Sequence, residues 1–413
     1  MSDARHNFSP TQCCIVGGGP AGMMLGTLLA RAGVRTVVLE KHTDFLRDFR
    51  GDTVHPSTLR VIDELGWLDA FLERPHRRLE VLGGWFGDKH VQLVDFRGLP
   101  SRYAFIAMMP QWDFLDFLAA RARLLRTFTL AMRTEATSLI EEGGRVVGVR
   151  GTSPDGPFEL RADCTVGCDG RHSTVRAAAS LAVDDLGAPI DVLWFRVRRD
   201  PAALDSSLAR IARGHFVVTL DRGDYWQCAF VIAKGGAAAL QQRPIEEFRA
   251  QVAGAAPILA PHLDADVRSW DEVKLLTVTV DRLTQWSRPG LLCIGDAAHA
   301  MSPIGGVGIN LAIQDAVATA NLLAAKLRAG IVADGDLDAV RKRRLWPTMA
   351  TQAAQLAIQN NVLVPVLSGA ALEVPLPVRL VSAVPALQRV AACLLGMGVR
   401  PEHVHSSEFA LTP

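Results

Sequence analysis

The sequence predicts a doubly wound α/β protein: a Rossmann-like domain interrupted by a mainly antiparallel β-sheet domain and followed by a helical C-terminal segment. Three observations predict it. A glycine-rich turn at residues 17–22 sits between a strand-like run at 12–16 and a helical stretch at 21–32. A second buried-strand run, 291–294, also feeds a glycine-bearing turn. Between them, residues 191–232 alternate in the manner of antiparallel strands.

The elements follow in order. Gly33 stands where the first helix needs a left-handed residue, and 34–39 is a β-branched run without alternation, as in a strand buried on both faces. This is one βαβ unit with parallel strands. Residues 56–72 read as a helix, and 79–97 as strands separated by Gly83-Gly84 and Gly87-Asp88. A helix is predicted over 111–125, and strands over 145–150 and 159–166. Strands are also predicted at 192–197, 215–220 and 225–232, the last two joined by a turn at 221–224. Residues 274–280 form one more strand, and from Leu337 the chain is mainly helical, broken by prolines 365, 375, 377 and 385.

Composition narrows the function classes. The 413 residues carry 44 basic against 43 acidic side chains, a balance that gives nucleic acid no electrostatic foothold. The basic run at Arg341, Lys342, Arg343 and Arg344 is read as a solvated helix face. Seven cysteines show no disulfide framework; Cys164 and Cys168 lack partners at zinc-site spacing, so no metal site is assigned and buried thiols in a reducing compartment are expected. Residues 1–10 have no apolar signal core, and the most apolar stretch, 380–399, is interrupted by Pro385, Gln388 and Arg389. A cytoplasmic protein without stable membrane insertion is therefore expected.

Three motifs carry cofactor chemistry. In the first, Gly17 permits the tight turn, Gly19 lets the backbone approach a pyrophosphate, and Gly22 lets helix pack on strand; Pro20 and Ala21 begin the helix whose free N–H groups face the phosphates. Glu40 closes the next strand at the spacing of a ribose-binding acid. The second, CDGRHSTVR from Cys168 to Arg176, contains Asp169 in a tight turn that Ser173 can cap; chemistry alone makes it a capped strand-to-helix turn. In the third, Gly295-Asp296 lies at a strand's carboxyl end, where Asp296 can accept a bond from a sugar-alcohol hydroxyl. After Pro303, the segment Gly305, Gly306, Val307 and Gly308 exposes backbone N–H groups, and Ile309 and Asn310 open a long helix, a favourable place for negative charge.

In this order the motifs resemble the class A flavoprotein aromatic hydroxylases, the para-hydroxybenzoate hydroxylase-like monooxygenases, over roughly residues 13–327. The resemblance implies FAD bound by residues 1–76, 101–180 and 276–335, a substrate-binding sheet formed by 77–100 and 181–275, and a helical C-terminal region, 336–413. It implies that Gly17, Gly19 and Gly22 face the pyrophosphate, Glu40 the adenosine ribose and Asp296 the ribityl chain. It also places Arg50 and Gln111 near the FAD phosphate and ribityl chain, and the Asp169 segment at FAD and NAD(P)H. Pro303 and the Gly305-Gly306 turn fall beside the reactive flavin edge. The implied reaction uses NADPH or NADH and O2, passes through a flavin C4a-hydroperoxide, and hydroxylates an aromatic or phenol-like small molecule.

Several points stay open in the sequence. His55, His215 and His299 are candidate substrate bases, with His215 preferred because it lies on the substrate sheet. Alternation puts Trp226, Cys228 and Phe230 on one face and Tyr225, Gln227 and Ala229 on the other, without saying which meets the flavin. Alternative activities are a ubiquinone-pathway-like hydroxylation of a prenylated ring, a flavin dehydrogenase or oxidase, and a non-catalytic flavin-binding protein. Oligomeric state is not encoded in any of these features.

Overall fold

The computed structural model describes residues 6–46, 53–99, 101–200, 208–369 and 374–406. β1 (Thr11–Val16) is buried throughout, α1 (Pro20–Arg31) follows with proline in its first turn, and β2 (Thr36–Leu39) runs parallel to β1. Gly33, at φ 81°, turns the chain after the helix as expected. The predicted 56–72 helix is two pieces: α2 (Pro56–Glu64) ends before Gly66, whose φ of 75° breaks the helical path, and a short helix resumes at Leu68–Leu72.

β3 (Val81–Phe86) and β4 (Lys89–Asp95) form a hairpin, and here Gly83-Gly84 lies inside a strand rather than between two. A Cβ on Gly84 would come within 2.5 Å of the Ala209 carbonyl oxygen on the neighbouring strand, and the β3–β4 register shifts between Leu82 and Gly83. The glycines serve a bulge and a close strand approach. α3 (Gln111–Ala122) starts at the predicted glutamine. Next come β5 (Phe128–Ala131), β6 (Glu135–Glu142), β7 (Arg145–Ser153), β8 (Gly156–Gly167) and α4 (Thr174–Ala178).

The interrupting sheet contains β9 (Ile190–Arg198), β10 (Ala209–Ala212), β11 (His215–Asp221) and β12 (Tyr225–Ala233), backed by α5 (Ile245–Ala255). β13 (Lys274–Leu276) is shorter than the predicted 274–280 strand, because the Val278 N–H donates to the Asp191 carboxylate (2.9 Å) instead of a strand carbonyl. β14 (Leu291–Cys293) leads into α6 (Gly308–Ala329), α7 (Asp334–Ile358), α8 (Leu376–Ala383) and α9 (Pro385–Gly396).

Two large sheets result. In the first, the parallel strands run β14-β8-β1-β2-β5, and β8 continues backwards into an antiparallel meander with β7 and β6. The second has the order β13-β9-β12-β11-β10-β3-β4 and is antiparallel except where β10 meets β3. The mixed α/β architecture with a helical C-terminal region is the one predicted. The stretch Ile304–Ala329 is long and apolar enough to cross a membrane, yet 72% of its most apolar window is buried in the molecule, where α6 packs on α1. Six of the seven cysteines are buried, Cys393 being exposed, and none forms a disulfide.

Candidate active site

Strand register assembles the site. Gly167 of β8 pairs with Val16 of β1 on one flank and Cys293 of β14 on the other. Each of these three strands then gives way to one of the three motifs. The motifs therefore emerge side by side along one carboxyl-terminal sheet edge, where open α/β sheets bind ligands. A separate cleft of about 340 Å³, lined by Thr11, Arg145 and Asp163 among others, lies toward the amino end of β1, away from these turns.

The first turn is built by what its glycines exclude. Gly17 has φ 107°, and a Cβ there would sit 2.4 Å from the Cys168 carbonyl oxygen. At Gly22 a Cβ would lie 1.9 Å from the Gly17 carbonyl oxygen, so helix and turn touch through bare backbone. Gly19 differs: a Cβ there would meet nothing within 4 Å. It is the N-cap of α1, which has no side-chain cap, so the amides around Pro20 and Ala21 have no side-chain acceptor. The Glu40 carboxylate is fixed across the turn, accepting from Gly18 N and His42 N, each at 3.0 Å. An uncapped helix N-terminus, an open cradle at Gly19 and a carboxylate one strand away fit an anionic dinucleotide such as FAD.

The second turn is locked onto its own helix. The Asp169 carboxylate accepts from Ser173 Oγ (2.5 Å) and Val175 N (3.1 Å), while Ser173 Oγ accepts from Arg176 N (2.9 Å) and caps α4. Burial raises the pKa of Asp169, opposed by those bonds. Arg176 pairs with the buried Asp281 at 3.1 Å. This turn supports the first from behind, as the contact of Gly17 with Cys168 and Asp169 shows.

The third turn rests on a buried charge cluster. Gly295, at φ 59°, faces Ala21 of α1 and Ala312 of α6, and its N–H donates to Asp315 (3.1 Å). The same Asp315 oxygen lies 2.6 Å from His299 Nε2, and the other oxygen accepts from Arg344 (2.9 Å). Burial alone would raise the Asp315 pKa, but His299 and Arg344 outweigh it and hold the carboxyl below its usual range. The Arg341–Arg344 run is thus a solvated face only in part: Lys342 is exposed, but Arg344 is 1% exposed and also meets Glu402, which Arg343 grips at 2.8 Å. Asp296 itself is half-buried.

Residues 303–307 and the first turn of α6 pack against residues 53–58 and α9. Gly305 and Gly306 have φ of 77° and 63°. Gly306 O accepts from Thr53 Oγ1 (3.0 Å), and Asn310 Oδ1 accepts from Thr58 Oγ1 (2.7 Å) and His55 N (3.2 Å). A Cβ on Gly305 would approach Leu395 of α9 at 3.1 Å, and a Cβ on Gly308 would meet only Met301, at 4.0 Å. Val307 is buried and Ile309 half-buried. Gln111 is half-buried at the start of α3, and Arg50 lies outside the described residues.

The sheet face left open by the sequence is now assigned. Ala229 and Val231 of β12 and Val192 of β9 cluster with Ile304, whereas Trp226, Cys228 and Phe230 pack on Phe248 and Val252 of α5. His215 alternates with Phe216 and shares the side of Val217, its ring 5.6 Å from Phe230. It therefore faces α5, and the structure does not bring it to Pro303. His55 comes closer to the loop. It is fully buried, its Nδ1 lies 2.9 Å from Leu395 O, and its Nε2 has no hydrogen-bond partner. The carbonyl can only accept, so Nδ1 carries the proton; burial lowers the pKa to about 4 and keeps the ring neutral.

Sequence reasoning missed the inner face of α7. Arg344, Thr348, Gln352 and Gln355, with Gln359 just beyond, are all buried, and they recur at helical spacing. Gln352 donates to Asp281 O and Ala300 O, Gln355 to Ser302 O and Ile304 O while accepting from Ser302 N, and Gln359 to Ser302 Oγ. The helix thus clamps the backbone on both sides of Pro303. Its outer face carries Trp346, Met349 and Ile358 at 60%, 43% and 44% exposure. The recurring glutamines were the available signal.

The family model for the FAD binding domain matches residues 10–354. The 6-methylpretetramide 4-monooxygenase of Streptomyces rimosus is 35% identical over 94% of this chain and 92% of that protein. This chain belongs to the FAD-dependent aromatic monooxygenases. Among solved structures, the monooxygenase matches OxyS anhydrotetracycline hydroxylase from Streptomyces rimosus with TM-score 0.72 and 24% identity, over 95% of this chain and 77% of that one. It matches the Diels-Alderase PyrE3 with TM-score 0.74 and 24% identity, over 95% and 82%. At these identities both structures show the fold, and the pair shows that one fold hosts different reactions.

Proposed function

We propose that this monooxygenase hydroxylates an aromatic or phenol-like small molecule, taking electrons from NADPH or NADH and one oxygen atom from O2, in the cytoplasm. The observation that carries the reading is the junction of the three in-register turns with an apolar sheet face: Ile304, next to Pro303, packs on Val192, Ala229 and Val231. The relative named for 6-methylpretetramide supports an aromatic substrate.

In this reading residues 1–76, 101–180 and 276–335 hold FAD, and 77–100 and 181–275 supply the substrate sheet. The helix start at Gly19, Pro20 and Ala21 offers open space to the pyrophosphate, and Gly19 and Ala21 offer their backbone N–H groups, with Gly17 and Gly22 setting the turn. Glu40 takes the adenosine ribose, and Asp296, with Gln111, the ribityl chain. The Asp169 segment buttresses the turn from behind. Gly305, Gly306, Val307, Gly308, Ile309 and Asn310 hold the isoalloxazine, with Pro303 at its reactive edge. Bound FAD supplies two-electron reduction of O2 and delivery of one oxygen atom to the substrate. The protein's share is to exclude water with Val192, Ala229 and Val231 and to hold the substrate near Pro303.

The test is consumption of NADPH or NADH by the FAD-loaded protein with and without a panel of phenols. Stimulation by a phenol, matched by oxygen uptake, is the expected result. Conversion of a substrate with no nicotinamide consumed points instead to chemistry of the kind that names PyrE3.

A further inference from the structure

Gln359 follows the last residue of α7, and its amide is half used. Nε2 lies 2.5 Å from Ser302 Oγ, while the buried Oε1 has no hydrogen-bond partner. The residue as a whole is 0% exposed. Gln352 and Gln355 differ, since each of their carbonyls is satisfied, by Arg282 and by Ser302 N. Helical spacing puts Gln359 on one side with Leu356 and Leu363, which cluster with Ile304, Val192, Ala229 and Val231. Its amide thus lies where the loop bearing Pro303 meets the apolar sheet face. An acceptor left without a donor among hydrocarbon is costly, and a π-helical turn, of the kind common at functional sites, begins at this residue.

We propose that Gln359 Oε1 accepts a hydrogen bond from a hydroxyl of the aromatic substrate and selects a free phenol over its ether. The inference rests on the monooxygenase reading only for the substrate's position beside Pro303. A site with a buried acceptor rejects an analogue that lacks the donor far more strongly than a hydrocarbon pocket distinguishes shapes.

The experiment titrates FAD-loaded protein with 2-naphthol and with 2-methoxynaphthalene, reading the change in flavin absorbance. The wild type should bind the naphthol about tenfold tighter or more. Gln359→Leu should lose that preference by weakening the naphthol, and Gln359→Glu, which keeps an acceptor, should retain it. If Gln359→Leu fails to hold FAD, Gln359→Met replaces it in the same titration. Equal affinities in the wild type, binding of neither probe, or an intact preference in the Leu or Met variant overturns the assignment. Binding needs no turnover, so a protein that shows the preference yet inserts no oxygen refutes the reaction and leaves the Gln359 role standing.

Discussion

At Gly19 an added methyl group would meet nothing within 4 Å, while at Gly22 it would lie 1.9 Å from a backbone oxygen. The two glycines should therefore fail in different ways. Gly19→Ala is expected to leave the melting temperature of the apoprotein unchanged but to weaken FAD binding about tenfold, because the methyl occupies the phosphate cradle. Gly22→Ala should lower the apoprotein's melting temperature as well, since backbone must move. Calorimetry and flavin titration on the two variants separate these outcomes. His55 makes a pH prediction. Its folded-state pKa of about 4 lies below the usual 6.5, so the unfolded chain binds the extra proton first. Its contribution is full above pH 6.5 and is lost as pH falls through about 4, a change of roughly 3 kcal/mol. His55→Leu should flatten that part of the stability–pH curve; a slope equal to wild type would show that other groups produce it.

Among the elements, α7 departs furthest from simple patterning. A buried helix face is expected to be apolar, and a basic run is expected to face water. Here the buried face is polar because Gln352, Gln355 and Gln359 hydrogen-bond residues 300–304 and Arg344 pairs with buried carboxylates. Gln355→Leu would leave Ser302 N, Ser302 O and Ile304 O without that partner, and should cost about 2 kcal/mol or more and reduce FAD retention. Arg344→Met should be more damaging, about 3–5 kcal/mol, because it leaves the buried Asp315 carboxylate with only His299 and the Gly295 N–H. Denaturant titration of both variants checks the order. β1, α1, β2 and the β11–β12 hairpin were legible because period, glycine and turn signals are local. The interior position of Gly83-Gly84 and the early end of β13 were not, since each depends on a residue distant in sequence: Ala209 in one case, Asp191 in the other.

For the whole molecule, the sequence revealed the three motifs and their order but not why they cooperate. That comes from β8, which carries its own motif and stands between β1 and β14, so segments far apart in the chain share one sheet edge. The sequence also left the substrate side undetermined. Its preferred base, His215, points at α5, and the contacts around Pro303 come largely from the C-terminal helices, whose role no motif announces. Because the same fold also carries a Diels-Alderase, the fate of molecular oxygen is the deciding quantity. The most direct measurement supplies FAD-loaded protein with NADPH or NADH, isotopically labelled O2 and an aromatic substrate, and weighs the product by mass spectrometry. One labelled oxygen atom per product molecule is the predicted result; a product without label, or a protein that takes up no FAD, would contradict it.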